Sequence, residues 1–200
     1  MGTDLTTYPG RIHGRRRGSA PTLMVAVLLT MLAACGASPA APPAPAHNPT
    51  DVMFLQMSLE YVRQGELVVS PAAQGASDPR VRALAAEVRD QWRDEARTMQ
   101  RWLTGWQQPP SADPDAGAHA GHGDLHSLRD ADIGELAAAR GAEFDRKAVS
   151  LLLGHLHNCV EVARMETAGG QYPPAKALAG QITAARQGQI RRLLTLAGPS

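Results

Sequence analysis

Hydrophobic residues recur every three or four positions in two long stretches of the chain, which is the spacing of one face of an α-helix. The first stretch runs from Val81 to Leu103 and the second from Ala175 to Leu194. No stretch of the sequence alternates clearly between apolar and polar residues, as a half-buried β-strand does. The pattern therefore predicts an all-α protein.

The sequence also repeats itself after 94 residues without a gap. The matched positions are Asp51 with Asp145, Met57 with Leu151, Leu59 with Leu153, Pro79 with Pro173, Ala83–Ala85 with Ala177–Ala179, Val88 with Ile182, Arg97 with Arg191 and Met99 with Leu193. We interpret each copy as a pair of helices, the first starting near an aspartate suited to capping and the second beside a proline suited to a first turn. Glycine-containing segments at 75–78 and 169–170 supply the turns within each pair.

Two antiparallel helix pairs pack most economically as a four-helix bundle. We predict the first pair at about 51–106 and the second at about 145–197. Between them, residues 107–126 are rich in Pro, Gly, Asp and His and are predicted to form a loop. A short extra helix at about 131–140 completes the crossover.

The first 34 residues have the organisation of an export signal. Four arginines between positions 11 and 17 precede the apolar run Ala20–Ala34, whose 15 residues are too few to cross a membrane comfortably as a helix. The segment Leu32–Cys35 resembles the lipobox of bacterial lipoproteins, which implies cleavage before Cys35 and lipidation of its thiol. An uncleaved membrane anchor and a plain secreted signal are the alternatives.

Residues 35–50 form a Pro/Ala segment that is too poor in large apolar side chains to fold, so we predict an extended tether. A lipid on Cys35 would hold the folded domain, residues 51–197, at the cell membrane outside the cytoplasm.

Charge and cysteine content limit the classes of partner. The 20 Lys+Arg and 19 Asp+Glu residues give a net charge of +1, which is not the basic footprint of a nucleic-acid binder. Two cysteines build no disulfide framework. Charge therefore excludes nucleic acid as a partner, and the sequence names no protein partner. The partners that it predicts are a membrane, contacted through the lipid, and a metal ion, whose candidate ligands are described next.

One candidate metal site lies in the second copy. His155 and Cys159 are four residues apart, so they share a helix face, and an imidazole with a thiolate suits an ion such as Cu(I) or Zn(II). The surrounding helix is apolar, and the alternative is a core cysteine beside a satisfied histidine.

A second candidate is the crossover loop, which carries His119, His122 and His126. Such a tract binds Zn(II) or Cu(II), although ordering a flexible loop weakens the affinity. A polar linker that happens to contain histidine is the alternative.

Motifs of catalysis are missing from the sequence. His155 and His157 do not follow a glutamate at the spacing that a di-iron bundle requires. Cys159 lies in apolar surroundings that suppress its thiolate, and the motifs G-x-S-x-G and Gly-rich phosphate loops do not occur. We expect no enzymatic activity and name no catalytic residue.

Several segments of the chain form a recognisable set: Asp51–Met57, Asp78–Ala85, then Gln91, Glu95, Met99, Trp102, Leu103 and Trp106, and finally Phe144–Arg146. Together they resemble the bacterial domain-of-unknown-function family 305, a group of exported, ferritin-like four-helix bundles. The resemblance covers about 51–197 and implies paired histidines in the first helix of each copy and, in some members, an association with copper. Here Tyr61 and Val62 replace the first pair, and His155 with Leu156 is what remains of the second.

Two functional hypotheses follow. In the first, a lipid-anchored protein buffers or hands over a soft or borderline metal ion, with copper as the expected ion, using His155 and Cys159 with His119, His122 and His126 closing from the loop. In the second, a metal-free bundle serves as a surface-tethered structural or protein-interaction module.

Overall fold

The computed structural model describes residues 46–111 and 128–198, and within them the chain forms helices and turns without a strand. The helices are α1 (Pro49–Gly75), α2 (Pro79–Gly105), α3 (Asp130–Ala138), α4 (Gly141–Gly169) and α5 (Pro173–Ala197). The all-α four-helix bundle with a short helix in its crossover is thereby confirmed. Cys35 and the predicted ligands His119, His122 and His126 lie outside the described residues.

The starts of the second helix in each pair follow the sequence prediction. Pro79 and Pro173 occupy the first turns of α2 and α5, where the missing N–H of proline costs no hydrogen bond. Asp78 caps α2 by accepting a hydrogen bond from the backbone N–H of Arg80 at 2.7 Å.

The starts of the first helices differ from the prediction. Asn48, rather than Asp51, is the N-cap of α1, and the two residues form a capping box with bonds of 3.1 and 2.6 Å. Helix α4 begins at Gly141, so Asp145 lies inside the helix. Neither aspartate is the N-cap of its helix, and both carboxylates accept further hydrogen bonds from the opposite helix pair.

The carboxylate of each of these aspartates accepts hydrogen bonds from the turn of the opposite helix pair. The carboxylate of Asp145 accepts hydrogen bonds from the backbone N–H groups of turn residues 77–78 at 2.8 and 2.7 Å. The carboxylate of Asp51 accepts bonds from those of turn residues 171–172 at 3.0 and 2.9 Å. We call these contacts the Asp145 clasp and the Asp51 clasp. Their reciprocity shows that an approximate two-fold axis relates the two helix pairs.

The hydrophobic core forms two clusters along the bundle. One cluster is built around Leu84, Trp92 and Leu152, and the other around Phe54 and Leu103. The helices of each pair pack tightly, and α1 packs on α4, whereas α2 and α5 make the loosest contact among the neighbouring pairs of long helices. The region between α2 and α5 is therefore where polar side chains enter the interior.

An aromatic cluster covers the end of the bundle at which α1 starts. The ring of His47 stacks on Trp106 at 4.1 Å, and Tyr172 meets Trp106 and Trp102 edge-on at 5.0 and 5.5 Å. The last residues of the predicted tether are therefore packed on the bundle, and helix α1 begins within the segment predicted to be tether.

Within residues 46–111 and 128–198, no helix is both long enough and apolar enough to cross a membrane.

Candidate functional site

Residues related by the repeat meet each other at the centre of the bundle. The rings of Tyr61 and His155, which are 94 positions apart, lie 5.4 Å apart. Trp92 and Arg186 are also 94 positions apart, and the guanidinium carbon of Arg186 lies 5.7 Å from the centre of the Trp92 ring. Because equivalent residues of the two copies contact each other only near the symmetry axis, these four residues lie at the two-fold axis. The axial cluster, as we call it, consists of Tyr61, Gln91, Trp92, Glu95, His155, Cys159, Arg186 and Gln189.

Arg186 carries a positive charge into this cluster with only 1% of its surface exposed. It pairs with the Glu95 carboxylate and donates hydrogen bonds to the side-chain oxygens of Gln91 and Gln189 at 3.2 and 3.4 Å. Burial raises the pKa of Glu95, and the charge of Arg186 limits that rise. A buried charge is tolerated when it is paired and hydrogen-bonded, so this network holds the guanidinium at the axis.

His155 is as deeply buried as Arg186, at 1% exposure. Its Nε2 lies 2.8 Å from the backbone oxygen of Tyr61. Because a carbonyl oxygen only accepts hydrogen bonds, Nε2 carries the proton and Nδ1 keeps a lone pair. Nδ1 has no hydrogen-bond partner within the described part of the chain. Burial lowers the pKa of His155 to about 4, and the charge of Arg186 acts in the same direction, so the ring is neutral at physiological pH.

Cys159 lies one helical turn after His155 on the same face of α4, as its spacing predicts. Burial raises the pKa of Cys159 to about 11, so the side chain is a thiol at neutral pH. A cavity of about 10 Å³ lies beside it, bounded also by Met99 and Arg186. Since a water molecule needs a cavity of about that size, the axial cluster has no room for a larger ligand.

These residues do not fit a metal ion. His155 offers one lone pair, Cys159 would have to give up its proton to bind an ion, and the guanidinium of Arg186 would repel a metal cation. Among residues 46–111 and 128–198, no three His, Cys, Asp or Glu side chains are close enough to hold a metal ion together. The structure thus brings the predicted ligands His155 and Cys159 onto one face without making them a metal centre.

Sequence reasoning missed Arg186 as a residue of the site. The signal was present, because Arg186 lies four residues after Ile182 and four before Ile190, on the apolar stripe of the last helix. The repeat also aligns Arg186 with Trp92, which is a core position. A charged residue in such a place predicts a buried ion pair.

Residues 51–197 match the family described as domain of unknown function DUF305. The chain belongs to this family. No protein in the curated comparison set matches the chain.

Several solved structures share the DUF305 fold of this chain. A DUF305 fragment from Deinococcus radiodurans has 25% sequence identity and a TM-score of 0.66, and the match covers 78% of this chain and 99% of that one. A DUF305 protein from Streptomyces coelicolor has 20% identity, a TM-score of 0.68, and coverages of 74% and 91%. CopM in its Cu(II)-bound form has 19% identity, a TM-score of 0.60, and coverages of 74% and 95%.

The axial cluster of this DUF305 chain lies where the family resemblance implies the paired histidines. Those positions are 61–62 in α1 and 155–156 in α4, and their first members, Tyr61 and His155, contact each other at the axis. Of the four positions at which the family resemblance implies histidines, only position 155 carries an imidazole, and Arg186 lies beside it.

The Asp51 clasp of this DUF305 chain contains a second unusual group, the fully buried Glu166. Apart from the carboxylate of Asp51, its two carboxyl oxygens have no hydrogen-bond partner in the described part of the chain. Burial raises the pKa of Glu166 to about 8, and the hydrogen bond to Asp51 and the charge of Asp51 add to the rise. Burial also acts to raise the pKa of Asp51, but hydrogen bonds from Asn48, Tyr172 and other neighbours lower it overall. Glu166 therefore keeps its proton at neutral pH.

We expect Glu166→Gln to remove the contribution of Glu166 to the pH dependence of the free energy of unfolding. Between pH 4.5, the ordinary pKa of glutamate, and pH 8, the unfolded chain loses this proton while the folded chain retains it. The free energy of unfolding of the wild type therefore falls as the pH rises through this window, by at most about 1.4 kcal/mol per pH unit. Urea unfolding at pH 5, 6.5 and 8 measures the slope. Glu161→Gln, an exposed glutamate of the same helix, should keep the wild-type slope, and an unchanged slope in Glu166→Gln would contradict the assignment.

Proposed function

We propose that this chain is an exported, lipid-tethered DUF305 bundle that works as a structural or protein-interaction module with a metal-free interior. The observation that carries the proposal is the buried guanidinium of Arg186, whose charge stands beside the potential ligands His155 and Cys159. A fixed positive charge at this place opposes a metal cation at every accessible pH, since arginine does not lose its proton in proteins.

The tether and the export rest on the signal-like first 34 residues and on the small residues before Cys35. The Streptomyces coelicolor relative is described as a candidate secreted protein, which agrees with export. The two clasps fix both ends of the bundle and suit a rigid module held at a surface. We propose no catalytic role.

Copper binding by the crossover loop is a second candidate function. CopM, which shares the fold, has been solved in Cu(II)-bound, Cu(I)-bound and Ag-bound forms. In this chain the imidazoles of His119, His122 and His126 would supply the ligands, because the interior does not. The two candidates differ in whether the chain binds copper, so one titration separates them.

The test is a titration of residues 36–200 with Cu(I), Cu(II) and Zn(II), under reducing conditions for Cu(I). We expect His155→Ala and Cys159→Ser to leave every affinity unchanged, with circular dichroism used to verify that each variant is folded. The triple variant of His119, His122 and His126 to Asn tests the loop: a loss of copper binding establishes the second candidate. A tenfold weaker affinity in Cys159→Ser, about 1.4 kcal/mol, would overturn the metal-free interior.

A further inference from the structure

We infer that the axial cluster is a binding site for a planar organic cation of the guanidinium class, and that the chain fills this site with its own Arg186. The inference rests on the proposed metal-free interior and deepens it.

The acceptors of the site converge on one guanidinium from two helices. Glu95 and Gln91 lie four residues apart on one face of α2, and Gln189 faces them from α5. Their carboxylate and amide oxygens accept the hydrogen bonds of Arg186. Donors fixed in a planar fork match such a set of acceptors better than a point charge does.

The indole of Trp92 completes the site. With the guanidinium carbon 5.7 Å from the ring centre, the aromatic face attracts the cation through its quadrupole. A planar cation uses this face and the acceptors at its edge at the same time. A metal ion gains little here, because one carboxylate and two amide oxygens are few hard ligands and the positive charge that already occupies the site opposes a second cation.

Part of the site is organised without Arg186. The side-chain nitrogen of Gln189 donates a hydrogen bond to the side-chain oxygen of Gln91 at 2.7 Å, which joins α5 to α2 directly. The indole of Trp92 is held by core packing and by His155, whose ring lies 5.6 Å away. We therefore expect truncation of Arg186 to alanine to leave a cavity lined by the two amides and the aromatic face, with Glu95 as its anion.

The experiment is chemical rescue of Arg186→Ala in residues 36–200. Thermal unfolding is measured with 10 mM methylguanidinium chloride, 10 mM sodium chloride or 10 mM urea, the last being a neutral molecule of similar shape. We expect Arg186→Ala to have a lower Tm than the wild type and methylguanidinium to raise it by about 3 °C or more, whereas sodium chloride and urea leave it unchanged. If Arg186→Ala is unfolded, recovery of helical circular dichroism on adding methylguanidinium is the readout.

Two variants control the rescue. Arg192→Ala removes an exposed arginine of the same helix, which pairs with Glu87 on α2, and methylguanidinium should not stabilise it. Arg186→Ala combined with Glu95→Gln should lose the rescue, because the anion is gone. Equal effects of methylguanidinium on Arg186→Ala and Arg192→Ala, or no effect on either, would refute the site.

Metal addition to Arg186→Ala separates this inference from the proposed function. A larger rise in Tm with Zn(II) or Cu(I) than with methylguanidinium would show a metal site and overturn the guanidinium assignment, even if the wild type binds no metal. Metal binding by the wild type that depends on Cys159 would instead overturn the proposed function.

Discussion

Glu95→Ala is expected to lower the free energy of unfolding by about 3–5 kcal/mol, because it leaves the guanidinium of Arg186 buried without its anion. Only 1% of Arg186 is exposed, and its other acceptors are the neutral amides of Gln91 and Gln189. Neutral amides do not compensate a full charge taken out of water. Urea unfolding followed by circular dichroism measures the loss.

Two companion variants make this result interpretable. Replacing Glu95 and Arg186 together by methionine should recover most of the stability, since apolar side chains of similar size satisfy a buried site without a charge. Glu87→Ala breaks the exposed pair with Arg192 and should cost less than about 1 kcal/mol. A loss in Glu95→Ala no larger than that in Glu87→Ala would mean that the axial ion pair is well hydrated.

The second large effect is expected from Gly65→Ala, with a loss of about 3 kcal/mol. An alanine Cβ at this position would lie 2.3 Å from Cη2 of Trp92 and 2.7 Å from Nε2 of His155. Both side chains are held in place, because Trp92 is buried in the core and His155 is bonded to the backbone of Tyr61. Urea unfolding measures the loss, and near-ultraviolet circular dichroism reports the displacement of the indole.

Gly154→Ala is the matched control for this substitution. Gly154 is exposed within α4, and a Cβ there meets no atom within 4 Å. Alanine favours a helix over glycine by up to about 1 kcal/mol, so this variant should gain stability. Similar losses in both variants would show that the close approach of α1 to the axis is not the cause.

The helices of this protein are predictable from sequence because their signals are local. Apolar spacing, Pro79 and Pro173 depend on a few neighbouring residues, and the 94-residue repeat adds the pairing of helices. The N-caps were less predictable. Asp51 and Asp145 resemble caps in sequence, but their partners are turns of the opposite helix pair, which come near only after the bundle has formed.

The candidate site was predictable in part. The four-residue spacing of His155 and Cys159 correctly predicted one helix face, because helix geometry alone decides it. The spacing carries no information about a charge brought in from another helix. Arg186 pairs with Glu95, which lies 91 positions earlier in the chain, and this ion pair holds a positive charge beside the histidine and the cysteine. Only the folded structure shows that charge.

Glu166 had no sequence signal at all. Its repeat partner is Ala72, so comparison of the two copies shows a substitution without indicating whether the glutamate is buried or solvated. Its raised pKa arises from burial and from the neighbouring Asp51, both of which exist only in the folded chain.

The two clasps also determine the order in which the native contacts can form. The Asp145 clasp joins residues 67 and 68 positions apart, whereas the Asp51 clasp spans 120 and 121 positions. Each helix pair closes through a short turn, but contacts between distant residues form slowly, because long loops lose more entropy on closure. Docking of the two pairs is therefore the expected slow step of folding. The Asp145 clasp needs the chain only as far as residue 145, whereas the Asp51 clasp cannot close without residues 171 and 172.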